Sequence, residues 1–382
     1  MDKVKIKDLC DILNGFAFKS DNYVDKGIRI IRIANVQKGY IEDSTPAFYP
    51  LNSTGLDKYM LDKGDLLISL TGNVGRVAIL QEEMLPAALN QRVACLRIKS
   101  NKISKGYLFH ILNSDFFERK CIQSAKGVAQ KNMSTEWLKN YKIPLYSTEQ
   151  QSEIVSVLDT LQSIICNRKN ELQMLDNLIK ARFVEMFGTE REFERWSCCT
   201  IGDVAKVGVG VVIKPTQYYT DDGIPAFRSL NIGEMKVKDN DWVYFTEEGH
   251  KKNQKSVVKT NDVLVVRSGA PGTACVATEK YNGYNAVDII IAHPDQDKVN
   301  SVFLAAFTNM PHGMNQIKGG TGGAAQQHFN VSGYKAMTLI MPPMRLQEQF
   351  ADFVAQIDKS KHHFYSSSLF LGILNLHRSA TA

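Results

Sequence analysis

The sequence predicts an α+β protein with two similar mixed α/β domains separated by long helices that form an antiparallel coiled coil. Three observations predict it. The length of 382 residues corresponds to between two and three domains at roughly 150 residues each. The chain repeats itself at an offset of about 196 residues. Each copy then ends in a long stretch whose apolar residues keep heptad spacing.

The repeat is carried by stretches that keep the same order. GIRIIRIAN at 27–35 lies opposite GIPAFRSLN at 223–231, which pairs Gly27 with Gly223, Arg32 with Arg228 and Asn35 with Asn231. LDKGDLLISLTGNVG at 61–75 lies opposite VKTNDVLVVRSGAPG at 258–272 and pairs Asp65 with Asp262, Gly72 with Gly269 and Gly75 with Gly272. GVAQKNM at 127–133 answers GAAQQHF at 323–329. Within the copies, 28–36, 65–72, 263–269 and 288–293 read as strands, because short β-rich runs there are bounded by Gly, Asn, Asp and Pro. Helices are expected around 104–124 and 300–316, where apolar residues recur at three and four.

From Glu149 to Phe187 there is neither Pro nor Gly. Ile154, Leu158, Leu161, Ile165, Leu172, Leu175, Ile179 and Met186 form one a/d stripe, with Arg168 and Arg182 in the remaining seam positions. A lone helix would leave that stripe in water, so it asks for a partner. Phe350, Phe353, Ile357, Phe364, Leu371 and Leu374 supply one near the end of the chain, interrupted by Ser360 and Ser367. Pro144 and the pair Pro342–Pro343 precede the two helices, where proline closes a sheet-containing domain. The expected boundaries are a first domain at 1–147, a central helix at 148–188, a second domain at 189–344, and a C-terminal helix and tail at 345–382. The alternative is two ordinary amphipathic helices, each packed on its own domain.

Composition narrows the function classes. Hydrophobic residues at 44% and charged residues at 23% are ordinary globular usage and exclude wholesale disorder. A net charge of +6 permits a polyanionic partner without identifying one. The seven cysteines form no CxxC pattern, which suits a reducing cytoplasm. The start resembles no signal peptide and no apolar run reaches bilayer length, so a soluble cytoplasmic protein without membrane contact is expected.

The sequence carries no recognisable catalytic motif. VGVG around Gly208 and Gly210 lacks GxGxxG spacing, and KGGTGGAAQQ lacks the GK[ST] ending of a phosphate-binding loop. The polar-Pro-Pro-aromatic word of adenine methyltransferases is absent, HPDQDK does not reproduce a nuclease acid arrangement, and the histidines are dispersed. No catalytic, cofactor-binding or metal-ligating residue is therefore assigned.

The whole sequence resembles the DNA specificity subunit of type I restriction-modification systems. The resemblance rests on ILNGFAFKSDNY, the paired R-x-x-N elements, the glycine turns, the Gly-x-Ala-Gln pair, and the junctions IPLYSTEQ at 143–150 and PPMRLQEQ at 342–349, the first of which lacks the second proline. It implies two target recognition domains on an antiparallel coiled coil, reading a bipartite site on double-stranded DNA. It also implies partners: two DNA adenine methyltransferase subunits, which would hold S-adenosylmethionine, and restriction-translocation subunits, which would use ATP and Mg²⁺. This chain would carry no cofactor itself. A noncatalytic protein-interaction scaffold and a standalone DNA-modifying enzyme are the alternatives.

Base reading calls for Arg, Asn and Gln, while Lys serves phosphates. The contact candidates are Arg32, Asn35, Arg76, Asn90, Gln91, Arg92, Lys120, Lys126, Gln130, Lys131, Arg228, Asn231, Arg267, Asn285, Gln326 and Gln327. Residues repeated in both domains, such as Arg32, Asn35, Arg228 and Asn231, equally suit a common scaffold. Gly72, Gly75, Gly269 and Gly272 are expected to serve tight turns or close approaches.

Overall fold

The computed structural model describes residues 3–125, 131–320 and 329–366. The described residues divide into two compact units, one running up to Lys169 and the other covering Asn170–Tyr365. Both are three-layered in the same way.

In the first unit an antiparallel sheet runs in the order Cys10–Asn14, Val93–Ile98, Leu66–Ser69, Val77–Ile79. Its strands are apolar on both faces because both are covered. Leu66, Ile68, Ala94 and Leu96 face the helices Lys105–Leu112 and Asp115–Ser124, through Leu108, Leu112 and Phe117. Leu67, Ala78, Val93 and Cys95 pack with Ile31, Leu61 and Leu89 of a second sheet. That sheet has a parallel central pair, Ile28–Ile31 with Ala87–Leu89. Burial pushes the Cys10 thiol up to about 12, so it is an inert core group, not a nucleophile.

The second unit repeats the order of the first sheet, while its second sheet runs Tyr219–Thr220, Val243–Phe245, Ile224–Phe227, Asn285–Ala286, with the parallel pair at one edge. Ala205–Val209, Ile289–Pro294, Val263–Val266 and Ala274–Val276 form the antiparallel sheet in the corresponding order. Val263, Val265, Ile290 and Ala292 face the helical layer, while Leu264, Val266, Ile289 and Ile291 face Phe227 and Ile232. Ile224–Phe227 pairs in parallel with Asn285–Ala286. The strand expected over 28–36 stops at Ile31 because the Asn35 side chain turns the chain, whereas the runs at 65–72 and 263–269 each contain their strand and the one at 288–293 holds all but the last residue of Ile289–Pro294.

Each unit closes by pairing its first strand with its last. Lys3–Lys5 pairs with Lys142–Pro144, and Ser197–Thr200 with Thr338–Met341. The proline junctions then release the long helices Thr148–Phe187 and Met344–Ser366. Two buried glutamines fix where each helix starts. Gln151 accepts from the Ser104 amide at 2.9 Å and donates to the carbonyls of Lys102 and Tyr146 at 2.8 and 2.9 Å. Gln347, 196 positions later, accepts from the Asn300 amide and donates to the Pro342 carbonyl, both at 2.9 Å. Neither glutamine was singled out in the sequence.

Within the second unit, residues 170–187 of the first long helix run antiparallel to the second. Asp176 meets Lys361 at 2.7 Å, Arg182 lies over the Phe353 ring, and Phe183 and Phe187 pack on Phe350 with ring centroids 5.5 and 5.7 Å apart. Position rises on one helix as it falls on the other. Ile179 and Ile357 are buried in this seam, with Leu175 and Phe353 partly buried against it. The stripe also packs on the domains: Phe350 joins Phe303 in the unit's core, and Ile154 lies against the core of the first unit. Leu158 is half-buried, as are Leu161 and Leu172, while Ile165 is buried. Leu371, Leu374 and the side chain of Phe364 lie outside the described residues.

A buried carboxylate makes one turn in each unit. Asp65 accepts from the Asp62 amide at 2.9 Å and from Arg97 Nε and Nη2 at 3.0 and 2.7 Å, and Arg97 Nη2 also donates to the Met60 carbonyl at 3.0 Å. At the equivalent place Asp262 accepts from the Lys259 amide, and His293 Nδ1 lies 2.6 Å away. Arg97→Ala strands the Asp65 charge, a change worth 3–5 kcal/mol at a fully buried pair. The Arg97 side chain is 35% exposed, so screening lowers the expected loss to about 2 kcal/mol. Chemical denaturation of the variant reads it directly; an unchanged midpoint would show that the turn holds without the pair.

Candidate nucleic-acid interface

One edge of the central sheet gathers three separate segments in the first unit. The Leu70 amide donates to the Arg92 carbonyl at 2.9 Å, the Gly72 amide to the Lys131 carbonyl at 2.9 Å, and the Met133 amide to the Leu70 carbonyl at 2.8 Å. The Gln91 amide donates to the Phe16 carbonyl at 2.9 Å. Loop 70–76, loop 90–92 and segment 131–133 are thus tied together by backbone bonds, leaving side chains free to face outward. Gln91, Arg92 and Lys131 are exposed there, with Asn90 half-buried and accepting from the Arg92 amide at 3.2 Å. Arg76 stands behind them, donating to Gln37 Oε1.

The glycines permit this closeness. Gly72 and Gly75 have φ of +67° and +85°, and a Cβ on Gly75 would come within 2.7 Å of the Cys121 Cβ. Gly269 and Gly272 repeat the conformation at +87° and +96°, and a Cβ on Gly272 would come within 2.7 Å of Met314 and Ile317.

The second unit builds the same edge. The Phe329 amide donates to the Arg267 carbonyl at 3.0 Å, and Asp288 and Val211 are joined as the Asp288 amide donates to the Val211 carbonyl at 3.2 Å. Arg267 is only 16% exposed; its guanidinium holds Asp288 at 2.8 Å and reaches the Phe329 carbonyl at 3.4 Å.

Several candidates are spent on the scaffold. Asn35 accepts from the Arg32 amide at 2.9 Å and donates to the Glu42 carbonyl at 2.7 Å. Asn231 does the same for the Arg228 amide at 2.9 Å and the Asn240 carbonyl at 2.8 Å. Arg32 and Arg228 each reach thirteen residues ahead, to the Thr45 and Asp241 carbonyls. Asn285 is fully buried between His250 Nδ1 at 2.7 Å and Ser256 Oγ at 2.9 Å. Lys120 stands apart on the Asp115–Ser124 helix, its ammonium over the Phe116 ring. Lys126, Gln130, Gln326 and Gln327 lie outside the described residues, in segments that lead directly to Lys131 and Phe329.

Among the described residues no group of three or more His, Cys, Asp or Glu could hold a metal ion, and no helix is long and apolar enough to cross a membrane.

A family model described as the type I restriction modification DNA specificity domain matches residues 1–174 and again 194–364. The type I restriction enzyme MjaVIII specificity subunit of Methanocaldococcus jannaschii is 32% identical over 184 residues, 46% of this chain and 43% of that protein. The EcoBI specificity subunit of Escherichia coli is 23% identical over 93% of this chain and 78% of its own length. The fold is that of the type I restriction-modification S subunit crystal structure from M. genitalium, with a TM-score of 0.55 at 13% identity, covering 99% of this chain and 95% of that one.

Proposed function

The chain belongs to the type I restriction-modification DNA specificity family, and on that premise we propose that it reads a bipartite double-stranded DNA target and directs partner enzymes to it. Each unit reads one half of the site through its gathered sheet edge, and the long helices set the spacing between the halves. The chain is noncatalytic. Two adenine methyltransferase subunits carry S-adenosylmethionine and modify the site; restriction-translocation subunits bring ATP and Mg²⁺ for cleavage. The assembly works in the cytoplasm, where the DNA is.

One observation carries the reading. The edge has the same backbone in both units but different side chains, since the half-buried Asn90 and exposed Gln91 of the first unit stand where the second has the buried Val287 and the half-buried Asp288 paired with Arg267. Phe16 bridges to Asn90 as Val211 bridges to Val287. A common frame with different base-facing chemistry is what two readers of different half-sites need. Lys131 on the same edge, with Lys139 and Lys142 elsewhere on that unit, supplies the salt-dependent phosphate term.

Mapping methylated adenines in genomic DNA, with methyltransferase subunits expressed with and without this chain, tests the proposal. The expected outcome is a two-part motif with a fixed gap that vanishes when the chain is omitted. An identical pattern without the chain, or a contiguous motif, overturns it.

A further inference from the structure

The segment Val211–Lys214 departs from its counterpart in the first unit. Gly210 and Val211 are fixed on the sheet: their amides donate to the Ile289 and Ala286 carbonyls at 2.9 and 2.8 Å, and a Cβ on Gly210 would come within 2.4 Å of the Ala286 oxygen. The next two residues face water, Val212 at 47% and Ile213 at 79% exposed. Lys214 then takes a left-handed conformation, with φ of 46°, before Pro215 and the half-buried Tyr218 and Tyr219, which pack against Phe245. A non-glycine residue there is held by its surroundings at a cost. The two residues before it carry β-branched side chains, which are stiff at χ1.

The first unit uses the same frame otherwise. Gly15, Phe16 and Lys19 correspond to Gly210, Val211 and Lys214, but Phe18, in the place of Ile213, turns inward onto Tyr49 with ring centroids 4.8 Å apart. The exposed pair is therefore a property of the second unit alone. It also lies at the gathered edge, because the Val211 carbonyl accepts from the amide of Asp288, the partner of Arg267.

Resting on the DNA-reading function proposed above, we infer that Ile213, supported by Val212, is a specificity-determining residue of the second half-site, making an apolar contact with a thymine C5-methyl group. The thymine methyl is the apolar feature that base edges present in the major groove. Arg267, 16% exposed and bound to Asp288, is withdrawn from such work, while Ile213 offers an outward aliphatic group at this edge. Contact removes both the methyl and the isoleucine from water, and the expected gain is about fivefold to tenfold in affinity.

The test uses the full chain assembled with its methyltransferase subunits and duplexes carrying the mapped target, with each second-half thymine replaced in turn by deoxyuridine. The wild-type complex loses about fivefold to tenfold at one thymine. Ile213→Ser binds the thymine and uracil duplexes equally and as weakly as the wild type binds uracil; Ile213→Val restores most of the difference. First-half substitutions affect wild type and variant alike. Ile213 is exposed, so folding of the serine variant is expected to match the wild type by thermal melting. Wild-type affinity in Ile213→Ser, the same thymine losses in both proteins, or a second half-site without A·T pairs overturns the inference and leaves bipartite reading standing. Failure of the wild-type complex to distinguish its target from a scrambled duplex overturns both.

Discussion

Phe350→Ala is expected to destabilise the second unit by about 4 kcal/mol. Phe350 is completely buried and its ring sits against Phe183 and Phe187, both of which also contact Phe303 at 5.8 and 4.9 Å. Four rings from four helical turns thus share one site. Removing one leaves a cavity that the second helix, anchored by Gln347, is poorly placed to close. The loss should be local: amide hydrogens of Val263–Val266 exchange faster in the variant, while those of Leu66–Ser69 keep their protection, because the first unit has its own core. Phe183→Ala should cost a similar amount, and the double variant less than the sum, with a coupling of about 1 kcal/mol from the ring pair. Additive losses would show that each ring contributes only its burial. Unchanged exchange in Phe350→Ala would show that the antiparallel helices do not stabilise the unit.

The same cluster marks what was legible in the sequence. The heptad stripe named Phe350, Phe353, Ile357, Leu175 and Ile179, and these residues meet in the antiparallel seam. It passed over Phe183, Phe187 and Val354, because a stripe with period 3.5 describes a helix pair in isolation. Here the helices serve two surfaces, each other and the domain beneath, and the buried arc is wider. The duplication was legible because topology repeats with it, down to a parallel strand pair in each second sheet, central in the first unit and at the edge in the second. Gln151 and Gln347 were hidden for a plain reason: glutamine at a helix start looks like solvated surface until the backbone groups it satisfies are in place.

The candidate site was legible only in part. Repetition drew attention to R-x-x-N, yet repetition is also the signature of scaffold, and the side-chain amides of both asparagines are engaged with backbone. Segments distant in sequence, 70–76, 90–92 and 131–133, become neighbours only through sheet pairing. No periodicity in the sequence encodes that edge. Ile213 carries a different lesson, since an aliphatic residue in a loop reads as core until its exposure is seen.

Asn231→Ala separates holding from reading. Asn231 has no exposed surface, and its side chain satisfies the Arg228 amide at 2.9 Å and the Asn240 carbonyl at 2.8 Å, with the Lys238 carbonyl at 3.5 Å. Alanine leaves two backbone groups without partners, at about 1–3 kcal/mol each, so the expected loss of stability is about 3 kcal/mol. Asn231→Asp is the sharper variant: it keeps the acceptor for Arg228 but turns the donor into a charged acceptor facing two carbonyls, and should be at least as damaging. For DNA binding the consequence is uniform. Once corrected for the folded fraction, affinity for the target and for duplexes altered in either half should match the wild type, as Asn35→Ala should also show in the first unit. A loss confined to one half-site in a stably folded Asn231→Ala chain would instead put this side chain at a base edge, which requires its amide to leave Arg228 and Asn240 and turn outward. The paired bonds at Asn35, to Arg32 and Glu42, argue against such a release, because the same closure in a domain proposed to face a different half-site has no reason to recur unless it serves the fold.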